Sequence, residues 1–128
     1  MTGPKSVAAD SRRLAATAAR AASSKQAERI TVIDVRELIT ITDYFVICSG
    51  SSARQVATIA DEVVRELKER GGVRPVRREG ETGAGWQLID FVDLVVHVFD
   101  EEARDFYRLE TLWADAPVVD WEREPAAS

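Results

Sequence analysis

The stretch from residue 86 to residue 99, "WQLIDFVDLVVHVF", is apolar at nearly every position. Its β-branched and aromatic residues predict two strands, "WQLID" and "LVVHVF", joined by a tight connection. A strand that is buried on one face only should alternate apolar and polar residues. Since this pair does not alternate, the apolar side chains on both of its faces must be shielded from water.

The register of the predicted hairpin depends on its turn. With Phe91 and Val92 as the two turn residues, Asp90 lies opposite Asp93 and Trp86 lies opposite His97. Val92 resists the positive φ of such a turn, and a longer loop would change the pairing. Residues two apart on one strand still share a face. One face therefore carries Trp86, Leu88, Val95, His97 and Phe99, and the other carries Gln87, Ile89, Leu94, Val96 and Val98.

Two explanations account for a hairpin that is apolar on both faces. Helices could cover both faces, so that the hairpin is a buried central pair. Alternatively, one face is a docking surface, because an exposed apolar patch with a central Trp is typical of a protein-binding site. The chain offers few helices, and we predict that the face with Trp86 is the docking surface.

The rest of the pattern predicts an α/β (α+β) fold, a mixed β-sheet with helices on one side. The clearest helix begins after Ser52, which forms a capping box with Gln55, and stops at Gly71-Gly72. An Ala-rich first helix over 6–22 should be weakly docked, and a loose tail should follow Pro117. The other predicted elements are strands at 30–35 and 43–50, an edge strand with Pro75, and a helix over 101–115 that packs inward through Ala103, Phe106, Tyr107, Leu109, Leu112 and Trp113.

Charge is unevenly distributed along this chain of 128 residues, whose formal net charge is −5. Residues 5–29 carry six basic and two acidic side chains, whereas residues 30–128 carry eleven basic and twenty acidic ones. Such an acidic body binds phosphate poorly and favours a basic protein surface. An acidic surface that serves only solubility explains the charge equally well.

Other features of the composition exclude several classes of protein. Cys48 is the only cysteine, so the chain forms no intramolecular disulfide, and a reducing, cytoplasmic location is expected. No run of 18 apolar residues predicts a membrane span. The basic segment "RPVRR" at 74–78 is short and lacks aromatic residues, so no sequence-specific nucleic-acid binding is expected.

Nucleotidyl transfer is the strongest enzymatic alternative. Gly50-Ser51 precedes a helix, where backbone N–H groups could hold a phosphate. Asp90 and Asp93 are three residues apart, which would place them on opposite faces of a strand; only an exposed turn brings them together. His97 lacks the Cys or His partners of a zinc site. We therefore expect no catalytic residues, no metal and no cofactor.

Several linked motifs resemble the ribosomal silencing factor (Iojap-like) family. The resemblance runs from about residue 30 to 113, through "ITDYFVICSGSSARQVATIADEV" and "GWQLIDFVDLVVHVFDEEARDFYRLETLW". It implies a nucleotidyltransferase-like fold without the catalytic carboxylates. It divides the chain into an N-terminal helix or extension (1–29), an Iojap-like domain (30–114) and a flexible C-terminal tail (115–128).

The resemblance also implies a function. Members of this family form homodimers, bind ribosomal protein L fourteen of the large (50S) subunit, and block joining of the small subunit under nutrient limitation. Trp86 matches the family's exposed docking tryptophan, His97 and Phe99 lie on the matching strand, and Tyr107 matches a tyrosine of the last helix. A role in assembly of the large subunit remains an alternative.

Overall fold

A six-stranded mixed sheet forms the centre of the molecule. The computed structural model describes residues 4–80, 85–107 and 109–127; the side chains of 4–10, 106, 107, 109 and 110 lie outside the description. The strand order is β3-β4-β5-β2-β1-β6. The elements in chain order are α1 (Pro4–Ser24), β1 (Glu28–Asp34), β2 (Tyr44–Gly50), α2 (Ala53–Gly71), β3 (Arg77–Glu79), β4 (Trp86–Asp90), β5 (Leu94–Asp100), α3 (Glu101–Tyr107), α4 (Leu109–Leu112) and β6 (Val118–Val119).

The central pair of strands is parallel, and every other pair is antiparallel. β2 runs beside β5 in a register that places Ile47 next to His97 and Ser49 next to Phe99. α2 makes the crossover after β2, and β3 and β4 then lead to β5. The predicted mixed sheet is therefore confirmed, including the position of β3 at one edge.

One face of the sheet is covered by α1 and α2. α2 buries Val56, Ile59, Val63 and Leu67 against the strands. Its predicted ends are confirmed, because the Ser52 hydroxyl accepts a hydrogen bond from the Gln55 amide at 3.1 Å and Gly72 takes a left-handed conformation with φ 68°. The strand residues below it are Val46, Cys48, Ile89, Leu94, Val96 and Val98.

α1 packs more closely than its sequence led us to expect. We predicted a weakly docked helix because its apolar stripe is thin, yet its alanines between residues 15 and 22 are buried. Small side chains let α1 approach α2 and the sheet closely, so little apolar volume is needed for tight packing. The buried alanines are Ala15, Ala16, Ala18, Ala19, Ala21 and Ala22.

The hairpin register differs from the predicted one by two residues. Trp86 lies opposite Phe99, and Leu88 lies opposite His97. The turn lies one residue further along the chain than predicted, because the Phe91 amide donates to the Leu94 carbonyl oxygen at 2.9 Å and leaves Val92 and Asp93 between the paired residues. Val92 nevertheless takes a positive φ of 77° inside this loop. A shift of two residues keeps each side chain on its face, so the predicted division into two faces is confirmed.

The last helical segment lies on the other face of the sheet, not on the side of α1 and α2. The Asp100 carboxylate caps this segment by accepting a hydrogen bond from the Ala103 amide at 2.8 Å. Ala103 and Trp113 pack against a second cluster that contains Phe45 and Phe99. Leu112, which we expected to point inward, is 72% exposed.

The C-terminal segment contacts both the sheet and α1. β6 pairs with β1, and Val119 is buried. The Arg20 guanidinium donates to three carbonyl oxygens of this segment, and Arg12 forms an ion pair of 3.0 Å with Glu124. We expected a loose tail because Pro117 and Pro125 interrupt the pattern; the structure packs it on α1 instead. The three-part division of the chain stays a prediction.

Candidate protein-docking face

Four of the predicted site residues form a half-buried patch on the face opposite α1 and α2. We call this set, Trp86, Leu88, Val95 and His97, the open patch. Trp86 and Leu88 come from β4, and Val95 and His97 come from β5. All four are intermediate in exposure, whereas the residues between them on the same strands are buried under α2. The helices therefore do not cover both faces of the hairpin.

Aromatic rings support the open patch from below and from one side. The His97 ring stacks on Phe99 with a centroid distance of 5.9 Å and an interplanar angle of 6°. Phe45, on β2, meets His97 edge to face at 5.6 Å and also contacts Trp113 at 5.3 Å. These contacts hold the ring of His97 in one orientation.

Of the two remaining predicted site residues, Phe99 and Tyr107, the structure describes the side chain of Phe99 alone. Phe99 is only 2% exposed, because α3 begins directly after β5 and turns over its ring. It therefore lies beneath the open patch and not at its surface. The backbone of Tyr107 belongs to α3, but its side chain lies outside the described residues.

Burial in apolar surroundings keeps His97 neutral. Desolvation lowers the pKa of His97 from 6.5 to about 4. Its Nδ1 atom is buried and has no hydrogen-bond partner among the described residues. No other histidine occurs in the chain. The open patch is therefore uncharged at neutral pH, with one polar ring in it.

Acidic side chains lie at both ends of the two strands that form the open patch. Asp90 and Asp93 flank the hairpin loop, and Asp100 is followed by Glu101 and Glu102. Arg77 approaches Asp90 at 3.8 Å, and Arg29 pairs with Glu101 at 3.2 Å. These partly neutralised carboxylates give the apolar patch a polar, mainly acidic border.

Arg104 joins α3 to the centre of the sheet. Although its side chain is charged, it is only 3% exposed, and its guanidinium donates to the Ser49 hydroxyl at 2.9 Å. A hydrogen bond from a buried charged donor is stronger than one between neutral groups. Arg104 therefore holds α3 over Phe99 and fixes one boundary of the open patch.

Sequence reasoning missed the contributions of Phe45, Trp113 and Arg104 to this face. Phe45 was recognised only as a strand residue, because its place beside the hairpin depends on the parallel pairing of β2 with β5. That pairing joins segments about fifty residues apart, and no local pattern encodes it. No local signal identified Arg104, because a basic residue in a helix with several acidic neighbours is ordinarily exposed.

The residues proposed for nucleotidyl transfer have structural roles of their own. Asp90 accepts a hydrogen bond from the Val92 amide at 2.8 Å and so stabilises the loop. Burial and the neighbouring Asp43 raise the pKa of Asp93. Before α2, the side chain of Gln55 accepts hydrogen bonds from the Ser51 amide and hydroxyl. Across the described ranges, His, Cys, Asp and Glu form no cluster of three or more suited to a metal ion.

Comparison with known proteins identifies the family. A family model described as "Ribosomal silencing factor during starvation" matches residues 8–128. The Bacillus subtilis protein named ribosomal silencing factor RsfS is 42% identical over 103 residues, which cover 80% of this chain and 86% of that protein. A crystal structure of a Chromobacterium violaceum protein is similar with a TM-score of 0.75 and 34% identity, over 79% of this chain and 83% of that one.

The mixed sheet and these matches define the class of this molecule, the α+β proteins described as ribosomal silencing factors. The chain belongs to the ribosomal silencing factor family. A more distant relative, the mouse protein named "Mitochondrial assembly of ribosomal large subunit protein 1", is 37% identical over 92 residues, which cover 70% of this chain and 40% of that protein. In the portion of the chain that the structure describes, no helix is both long and apolar enough to cross a membrane.

Proposed function

We propose that this protein is a non-enzymatic silencing factor that binds the large ribosomal subunit and blocks its association with the small subunit. The open patch docks on a basic ribosomal protein of the large subunit, L fourteen. The bound factor then occupies space that the small subunit needs, so translation falls under nutrient limitation. This role requires a stable surface and no reacting group.

The observation that carries the proposal is the incomplete cover of one sheet face. Trp86 packs, half-buried, against a cluster that contains Phe45 and Phe99, and Leu88 and His97 are the next pair along the same face. Interface hot spots combine such an aromatic anchor with a rigid, apolar surround. Because the strands on both sides of β5 are hydrogen-bonded, the patch is preorganised and loses little entropy on binding.

The charge distribution supports a basic partner. Residues 30–128 carry nine more acidic than basic side chains, and several of these flank the open patch. Opposite potentials raise the rate of encounter and orient the partners before they touch. We therefore expect association with the large subunit to slow as salt is raised, since exposed charges are screened within about 10 Å at 0.1 M salt.

Co-sedimentation with ribosomal particles tests the proposed function. The protein is mixed with purified large subunits, purified small subunits or intact ribosomes, and each mixture is sedimented through sucrose. Binding to free large subunits alone is expected, because the small subunit covers the docking site in the intact ribosome. Equal binding to intact ribosomes would contradict steric blocking.

Assembly of the large subunit is a second candidate function, favoured by the name of the mouse relative. The two roles differ in what happens when the protein is removed from cells. An assembly factor leaves incomplete large subunits, which sediment more slowly and lack proteins. A silencing factor leaves mature large subunits and excess subunit joining during starvation. Sucrose-gradient profiles of depleted cells separate these outcomes.

A further inference from the structure

The surroundings of His97 are apolar and would suit an apolar side chain better than a polar ring. Its neighbours on the adjacent strands are Ile47 and Leu88, and its ring lies between Phe45 and Phe99. None of these side chains can accept or donate a conventional hydrogen bond. A polar ring in such surroundings costs free energy unless a partner outside the chain satisfies it.

The two ring nitrogens of His97 differ in their surroundings. Nδ1 is buried without a hydrogen-bond partner among the described residues, whereas Nε2 is not among the buried, unsatisfied atoms. Neutral imidazole carries one proton, and an orphaned buried N–H is rarer in proteins than an unpaired acceptor. The proton therefore belongs on Nε2, which leaves the lone pair on the buried Nδ1.

We propose that His97 is the specificity-determining hydrogen-bond donor of the open patch, presenting Nε2–H to a carbonyl oxygen of the docked protein. This inference rests on the proposed function, since it assigns a role within the same docking face. A protein without an acceptor opposite Nε2 would bury the donor unpaired and lose affinity. The open patch therefore selects for an apolar surface with one carbonyl oxygen at a fixed place.

Substitutions at His97 separate this role from a merely structural one. His97→Phe keeps a ring between Phe45 and Phe99 but has no donor. We expect its affinity for purified large subunits to fall about tenfold, which corresponds to about 1.4 kcal/mol. The same variant removes the unsatisfied Nδ1, so its thermal midpoint should stay equal to that of the wild type or rise. If His97 had only a structural role, His97→Phe would lower both the thermal midpoint and the affinity.

His97→Gln is the matched rescue variant. Its side-chain amide nitrogen can reach the position of Nε2 and donate there, so its affinity should stay within about threefold of the wild type if it retains one good hydrogen bond. Equal affinity of His97→Phe and the wild type would overturn the inference. Loss of binding in both variants with folding intact would also overturn it, because the donor alone would not explain the loss.

Nitrogen NMR of the free, full-length protein gives a readout that does not depend on binding. The Nε2–H tautomer is expected for His97 at pH 7, and the Nδ1–H tautomer would overturn the inference even if a variant failed to fold. The variant Trp86→Glu shows whether a negative result concerns the donor role of His97 or the proposed function as a whole. If Trp86→Glu abolishes binding while His97→Phe binds normally, the result supports the docking face and contradicts the donor role of His97.

Discussion

At the scale of single residues, His97 links burial to the pH dependence of stability. Its pKa is about 4 in the folded protein and 6.5 in an unstructured chain. Between these values the unfolded state holds a proton that the folded state does not, so stability falls as the pH is lowered through this range. From pH 7 to pH 5 the expected loss is about 2 kcal/mol.

Denaturant unfolding of the wild type and His97→Phe at pH 7 and pH 5 measures this effect. The chain has no second histidine, so the difference between the two proteins isolates the titration of His97. We expect the wild type to lose more stability than the variant on acidification. An equal loss in both proteins would show that His97 is accessible to protons in the folded state.

Val92 is the second residue whose environment makes a clear prediction. Its φ of 77° is strained for a β-branched side chain, and its side chain is 52% exposed. Val92→Gly should relieve the strain and raise the free energy of unfolding by about 0.5–1 kcal/mol. The control is Val118→Gly in β6, where 70% of the side chain is exposed and the backbone is extended. That variant should lose stability, because glycine weakens a strand.

At the scale of elements, prediction succeeded where local chemistry decides the structure. α2 was predicted from Ser52, Gln55 and its glycines, and the structure confirms both ends. The hairpin faces were predicted because side chains alternate along any strand. The register was not, because the position of the turn depends on Val92 adopting an unfavourable φ, which its local sequence does not indicate.

The packing of α1 was missed because alanine carries almost no periodic signal. The helix buries Ala19 and Ala22 completely, although neither residue belongs to the apolar stripe of its sequence. Close approach between backbones replaces bulky side chains here. The candidate site shows the same limit, since Phe45 and Trp113 support the open patch through contacts between segments distant in sequence.

A single substitution in α1 tests this close packing. Ala18→Leu adds three carbon atoms where no space exists, so we expect a loss of about 1–3 kcal/mol in the free energy of unfolding. Arg13→Leu makes a matched helix control, since Arg13 is exposed and leucine is an equally good helix former. Equal stability of Ala18→Leu and the wild type in denaturant unfolding would mean that α1 is loosely attached.

At the scale of the whole molecule, the two faces of the sheet differ in how far helices cover them. α1 and α2 cover one face and form the larger of the two buried clusters, with Cys48 beneath them and its pKa raised to about 12 by burial. The opposite face is covered only in part by α3 and Trp113. This asymmetry accounts for a hairpin that is apolar on both sides: one side packs internally, and the other is the face that we propose binds a partner.

The most direct test of this account is the affinity of Trp86→Glu for purified large ribosomal subunits. A charge in place of the only tryptophan of the open patch should weaken binding at least about 30-fold, the effect expected for a hot-spot residue, with little change in the thermal midpoint. Ile41→Glu introduces the same charge at an 81% exposed position in the loop between β1 and β2, and it should bind normally. Unchanged affinity of Trp86→Glu, or its failure to fold while Ile41→Glu folds, would contradict the claim that this face docks on the ribosome.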